Sequence, residues 1–215
     1  NAFLGANKLK SIELEMSSDL SARSFYGLFG DSASTLESLS IGAMTFLEDG
    51  TSVSSPGSLA LFKNLKTVNL PKVETVGKYS FAGLTSLTTI NLSSAITVDS
   101  TAFSSTGNLK TVDIGMKAAT TAKNVYDLLS PSEATLESLT VRNMEIVEDG
   151  TSLDKPGSLS LFKQLKTISL PEATTIGNYA FYGCSNLSSV SLPEATTIGS
   201  SAFSDCSSLS RVSLP

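Results

Sequence analysis

Apolar residues recur along this chain in a fixed phrase: leucine, two spacers, an aliphatic residue, one spacer, a second aliphatic residue. The phrase begins at Leu9, Leu36, Leu65, Leu87, Leu109, Leu136, Leu165, Leu187 and Leu209. Successive starts differ by 27, 29, 22, 22, 27, 29, 22 and 22 residues, so the spacing closes on itself every 100 residues. Residues 101–200 replay residues 1–100 without a gap at about 40% identity, and 201–215 open a third copy. Short fixed periods predict a solenoid, because one unit of this size cannot bury its apolar edges and must lean on the next.

Residues 165–186 show what one unit contains. Ile168 and Leu170 alternate with Thr167 and Ser169, the period of a strand with one buried face. Pro171 has no amide for a ladder and ends the strand. Thr174, Thr175, Ile176 and Gly177 predict a second, shorter strand, and Tyr179 to Cys184 predict a tight helical turn or 3₁₀ segment with Phe181 inward. Phe81, Phe103, Phe181 and Phe203 share this place and are expected in the core, with Tyr79, Tyr179 and Tyr182 as aromatic neighbours. Equivalent residues should stack at the strand spacing of about 4.8 Å, so eight steps imply a rod on the order of 40 Å long.

The longer units carry two insertions. Ala22, Phe25, Tyr26 and Phe29, echoed by Ala122, Val125, Tyr126 and Leu129, predict short amphipathic helices, with Ser21 and Thr121 as N-caps and Gly30 or Pro131 as stops. Glu48-Asp49-Gly50 through Pro56-Gly57-Ser58 and their copies at 148–158 read as surface loops, from their Asp-Gly and Pro-Gly turn dipeptides. The whole of 1–215 is expected to be one solenoid of two modules, 1–100 and 101–200, with the start of a third over 201–215. Ala2-Phe3 matches Ala102-Phe103 and Ala202-Phe203 in mid-unit, and neither end carries a polar cap, so a piece of a longer array is expected.

Composition then narrows the function. With 40% hydrophobic and 16% charged residues the chain suits a packed fold rather than disorder. A net charge of −5, without any Lys/Arg run, makes nucleic acid and anionic membranes poor partners. No stretch approaches a membrane-spanning helix, and the first residues lack the basic and apolar regions of a signal peptide. Histidine is absent, which removes the commonest general base, every His-based triad and most zinc sites; no phosphate loop or nucleophile elbow stands in the sequence. No enzymatic activity, cofactor or metal is expected.

The phrase L-x-x-V-x-L-P-x-x-x-T-x-I-G-x-x-A-F-x-x-C, which stands at residues 165–184 and 187–206 and in a degraded form at 65–84, closely resembles the leucine-rich repeat of the BspA type. The resemblance covers essentially the whole chain, although Pro71, Pro171, Pro193 and Pro215 occupy the corner where ordinary leucine-rich repeats place an asparagine ladder. It implies an α/β, right-handed leucine-rich repeat solenoid with a parallel sheet on its concave face. It further implies a secreted or surface-anchored protein, of the kind described as an adhesin for host matrix proteins or other cells.

Three groups are candidates for chemistry or binding. Cys184 and Cys206 share one place in consecutive units where other units carry Leu84, Phe62 and Phe162, so buried free thiols are expected, with an inter-coil disulfide as the alternative. The Glu48-Asp49 and Glu148-Asp149 pairs offer two acids each, too few for a calcium loop of the EF-hand kind, and read as solvated turns with calcium as the alternative. The solvent side of the strands is the expected working surface, with Glu13, Thr67, Asn69, Thr89, Asn91, Thr111, Asp113, Thr140, Thr167 and Arg211 facing a ligand. This row has no aromatic residue, so cross-strand pairs that only stabilise the sheet are its plainer reading. The leading function is an adhesion or protein-interaction module, expected as a monomer; a passive spacer and a glycan-binding module are the alternatives.

Overall fold

The computed structural model describes residues 3–15, 20–117, 120–148 and 150–215. They fall into two compact units, Asn1–Leu109 and Lys110–Pro215. Main strands form wherever the repeated phrase stands, because its alternation gives each strand one face to bury. In the first unit they are β1 (Ser11–Leu14), β2 (Ser38–Ile41), β4 (Thr67–Asn69) and β6 (Thr89–Leu92). In the second they are β8 (Thr111–Gly115), β9 (Ser138–Arg142), β11 (Thr167–Ser169), β13 (Ser189–Ser191) and β15 (Arg211–Ser213).

Pairing is parallel and in one register throughout each unit. Ser11, Ser38, Thr67 and Thr89 stand side by side in the first. Leu139, Ile168, Val190 and Val212 do so in the second. Shorter strands behind them make a second small sheet in each unit: β3 (Phe46–Leu47), β5 (Thr75–Val76) and β7 (Thr97–Val98), then β10 (Ile146–Val147), β12 (Thr175–Ile176) and β14 (Thr197–Ile198). This is the leucine-rich repeat solenoid, with strands dominant and helix the minor partner. Among the described residues no helix is long and apolar enough to cross a membrane.

The leucine that opens each phrase is fully buried at Leu36, Leu65, Leu87, Leu109, Leu136, Leu165 and Leu187. Behind this column the aromatic rings stack coil on coil: Phe81 on Phe103 at 5.2 Å and Phe181 on Phe203 at 5.2 Å between centroids. Phe81, Phe103 and Phe181 are buried as expected. Phe203 is only half-buried, because the coil beyond it holds little more than strand β15.

The segment around Phe181 departs from its expected form. It is a string of turns rather than a continuous 3₁₀ segment, and the reason is its hydrogen bonding. The amides of Tyr179, Phe181 and Gly183 donate to Ser200, Ala202 and Ser204 in the next coil, while those of Tyr182 and Cys184 donate locally to Tyr179 and Phe181. Alternate amides are needed by the neighbour, so local i→i+3 bonding cannot run on. The alternation requires left-handed residues four apart, Tyr179 at φ 54° and Gly183 at φ 70°. Continuous 3₁₀ turns appear instead in the insertion-bearing coils, at Ser58–Leu61 and Ser158–Leu161.

Both insertion helices form: α1 (Ala22–Phe29) and α2 (Ala122–Leu129). Ser21 and Thr121 cap them by accepting the amides of Ser24 and Asn124. The α-helices end where expected, α1 at Phe29 with Gly30 as its C-cap and α2 at Leu129 shortly before Pro131, and a 3₁₀ turn follows each end, Gly30–Ser32 and Ser130–Ser132. Each helix packs on the 3₁₀ turn of the following insertion. Phe25 meets Phe62 at 5.3 Å, and Tyr126 meets Phe162 at 5.3 Å between centroids. The Tyr126 hydroxyl donates to Glu133 at 2.5 Å, and that carboxylate pushes its pKa up to about 12.

Cys184 and Cys206 are free and buried. Their sulfurs lie 3.7 Å from the Ser160 carbonyl and 3.2 Å from the Phe181 carbonyl, each in the preceding coil. Burial pushes the Cys184 thiol up to about 12 and raises that of Cys206 as well. Both thiols should therefore react slowly with Ellman's reagent in the native protein and release two equivalents after unreduced denaturation; fewer than two would mean a bridge. Phe181→Ala should cost about 3–5 kcal/mol in denaturant melts, and an unchanged midpoint would place that ring outside the core.

Candidate interaction surface

Because side chains alternate across a strand, burying Ile12, Leu39, Val68 and Ile90 turns Glu13, Ser40, Asn69 and Asn91 to the opposite face. All ten residues expected on the working surface stand half-buried or exposed, with Glu13, Thr111 and Arg211 the most open. The structure ties several of them to one another. Asn91 donates through Nδ2 to Oδ1 of Asn69 at 2.9 Å, and Asn69 donates to Oγ of Ser40 at 2.9 Å. Oδ1 of Asn91 in turn accepts the Ser93 amide at 3.0 Å. In the second unit Thr167 donates to Ser138 Oγ at 2.8 Å.

Asp113 is held more firmly. Arg142 grips it with both forks, Nε to Oδ1 at 3.0 Å and Nη2 to Oδ2 at 2.9 Å, the bidentate geometry that guanidinium and carboxylate favour. The Arg142 pKa is raised, chiefly by that hydrogen bond, against the opposing effect of its partial burial. Arg142 was not among the expected site residues, since it lies beyond the repeated phrase. It faces the sheet because β9 extends one rung further than β2, pairing Gly115 with Arg142.

A second row, also unforeseen, borders the sheet. Glu37 stands between Lys66 at 2.6 Å and Lys10 at 3.4 Å, and Glu137 between Lys166 at 2.6 Å and Lys110 at 3.7 Å. The paired lysines hold both carboxyls below their ordinary range, the Lys66 and Lys166 hydrogen bonds most of all. These groups are solvated, so they contribute little stability. Their signal was present as a charge directly after the repeated leucine, but across three units and thus invisible within one. Another coil-to-coil tie comes from the residue before that leucine: Asn108 and Asn186 donate to the carbonyls of Thr85 and Lys163 at 2.7 and 2.8 Å, and Asn64 donates to Ser34.

The two glutamates of the second insertion are engaged by backbone amides rather than left as solvated turn acids. Glu48 accepts the Arg23 amide at 3.0 Å and Glu148 accepts the Ala122 amide at 2.7 Å, so each carboxylate sits at a helix N-terminus, where backbone donors favour it. Asp49 accepts the Lys78 amide at 2.8 Å; Asp149 lies outside the described residues. Gly50 is buried where the two arms of the loop cross, and a Cβ there would stand 2.6 Å from the Gly57 nitrogen. The loop is thus knitted into the coil. Among the described residues no three His, Cys, Asp or Glu side chains gather as metal ligands.

The arrangement offers a polar sheet face with lateral ties and a few open charged groups. Fourteen solved chains match. A leucine-rich repeat protein from Bacteroides ovatus ATCC 8483 is similar over 81% of this chain and 42% of its own, at 19% identity and a TM-score of 0.40. A leucine rich cell surface protein from Faecalibacterium prausnitzii A2-165 is similar over 99% of this chain and 62% of its own, at 14% identity and a TM-score of 0.33. The chain therefore spans less than two thirds of either. No curated protein matches. The model of the BspA type leucine rich repeat region matches residues 55–149 and 156–215 in six copies. With most of its length covered by that match, the chain belongs to the BspA-type leucine-rich repeat family.

Proposed function

We propose that this chain is an interaction module displayed outside the cell, engaging a protein or cell-surface ligand through the solvent face of its main strands and the adjoining loops. The observation that carries this reading is the face itself. Strand after strand in each unit presents a polar, solvent-reachable residue in one register, at Glu13, Thr67, Asn69, Thr89 and Asn91 and at Thr111, Asp113, Thr140, Thr167 and Arg211. A rigid row of this kind binds by many modest contacts whose effect multiplies when they engage together. Membership of a repeat family whose members act as scaffolds supports binding over catalysis, and supports a secreted or surface location.

A spacer without a ligand of its own is the second reading. It is favoured by the ties from Asn91 through Asn69 to Ser40 and from Arg142 to Asp113, which turn hydrogen-bonding capacity inward. The two readings separate in a binding screen of the chain against immobilised host matrix proteins and glycans, repeated with Asn69, Asn91 and Asp113 all changed to alanine. The module reading predicts a ligand whose affinity falls at least tenfold in the triple variant. Undiminished binding would move the site off the strand face, and an empty screen would favour the spacer.

A further inference from the structure

The two units replay one another, so a residue present in one and missing from the other marks a choice that the fold leaves open. In the second unit Asp113 on β8 holds Arg142 at the end of β9. One hundred residues earlier the same places carry Glu13 and Gly42. The backbone frame is shared: Glu13 pairs with Ser40 as Asp113 pairs with Thr140. The carboxylate is retained and its cation is gone.

Among the described residues the place of the missing cation is open: a Cβ built at Gly42 meets none of their atoms nearer than the Leu14 carbonyl oxygen at 3.7 Å, an ordinary contact. Glu13 is exposed, and among the described residues it forms no hydrogen bond or ion pair. Glu15, also exposed, follows two residues on, where the other unit has Gly115. Two carboxylates thus belong to the same edge of the sheet, beside a gap that the chain fills with guanidinium in its other copy.

We propose that Glu13, with the open place beside Gly42, receives the guanidinium of an arginine side chain from a partner protein, in the manner in which Asp113 holds Arg142. This rests on the interaction-module reading and names the chemistry of its partner. A planar fork matches a carboxylate with two parallel hydrogen bonds where an ammonium supplies a point charge. Arginine is also among the residues that dominate protein interfaces. The net charge of −5 draws a basic partner toward the chain before contact.

The test is an amide NMR titration of the whole chain with acetyl-Gly-Arg-Gly-amide, with the citrulline peptide as its uncharged control. The arginine peptide should move the amides of Ser11–Leu14 and Gly42 saturably, and the citrulline peptide should not. Glu13→Gln and Gly42→Arg should each weaken the titration at least tenfold. Arg142→Gly should open a second saturating set at Thr111–Gly115. No saturable shifts at Ser11–Leu14, an unchanged titration in both first-unit variants, or a folded Arg142→Gly chain without the second set would each overturn the proposal. A matrix ligand found in the screen whose affinity is unaltered by Gly42→Arg would sink this inference while leaving the module reading intact. An arginine site behaving as described beside an empty screen would do the reverse.

Discussion

Coil-to-coil hydrogen bonding in a single register is the constraint on which the rest of each unit depends. A short coil has no core of its own, and its backbone amides must find partners in the coil beside it. They do so at three corners. The main strands pair along their length, the two-residue strands pair behind them, and the turns around Phe81 and Phe181 donate alternate amides across to the next coil. Side chains follow the same rule. The buried leucines stack in a column, the phenylalanine rings lie face to face, and even the Cys206 thiol reaches the carbonyl of Phe181 one coil back.

That constraint determines where the chain tolerates additional length. The insertions in the 27- and 29-residue units leave the main strands in register and pack on one another. A helix from one coil meets a 3₁₀ turn from the next through Phe25 and Phe62, and again through Tyr126 and Phe162. Glu48 and Glu148 complete the joint by accepting a helix-end amide from the earlier insertion. Two departures from the regular period therefore form one lateral element in each unit. Glu48 and Glu148 are thereby spent on structure, whereas Glu13 and Glu15 stay exposed on the sheet edge of the first unit.

The repeating elements themselves were legible in the sequence. The strands, their register, the inward Phe181 and the capped insertion helices all follow from periods of two, of 3.6 and of one unit, because those periods are direct images of burial. What escaped was any interaction whose partner lies in another coil. Glu48 reads as a turn acid beside Asp49 and Gly50, since its partner, the Arg23 amide, is 25 residues away. Arg142 lay hidden because its role depends on β9 running one rung past the repeated phrase. The turns around Phe181 resemble 3₁₀ structure locally, and only the carbonyls of the next coil explain why every second amide looks outward. Asn69 and Asn91 were placed on the right face, yet their bonds to each other and to Ser40 show how much of that face serves the sheet.

The central claim is that the coil is the unit of the fold, and removing one tests it most directly. Deleting residues 165–186, one whole 22-residue unit, brings β13 beside β9 in the register that β11 used. Far-UV circular dichroism of that chain should keep its strand signal and a cooperative thermal transition, whereas deleting only residues 175–185 should abolish both. Equal loss of structure in the two deletions would contradict the account.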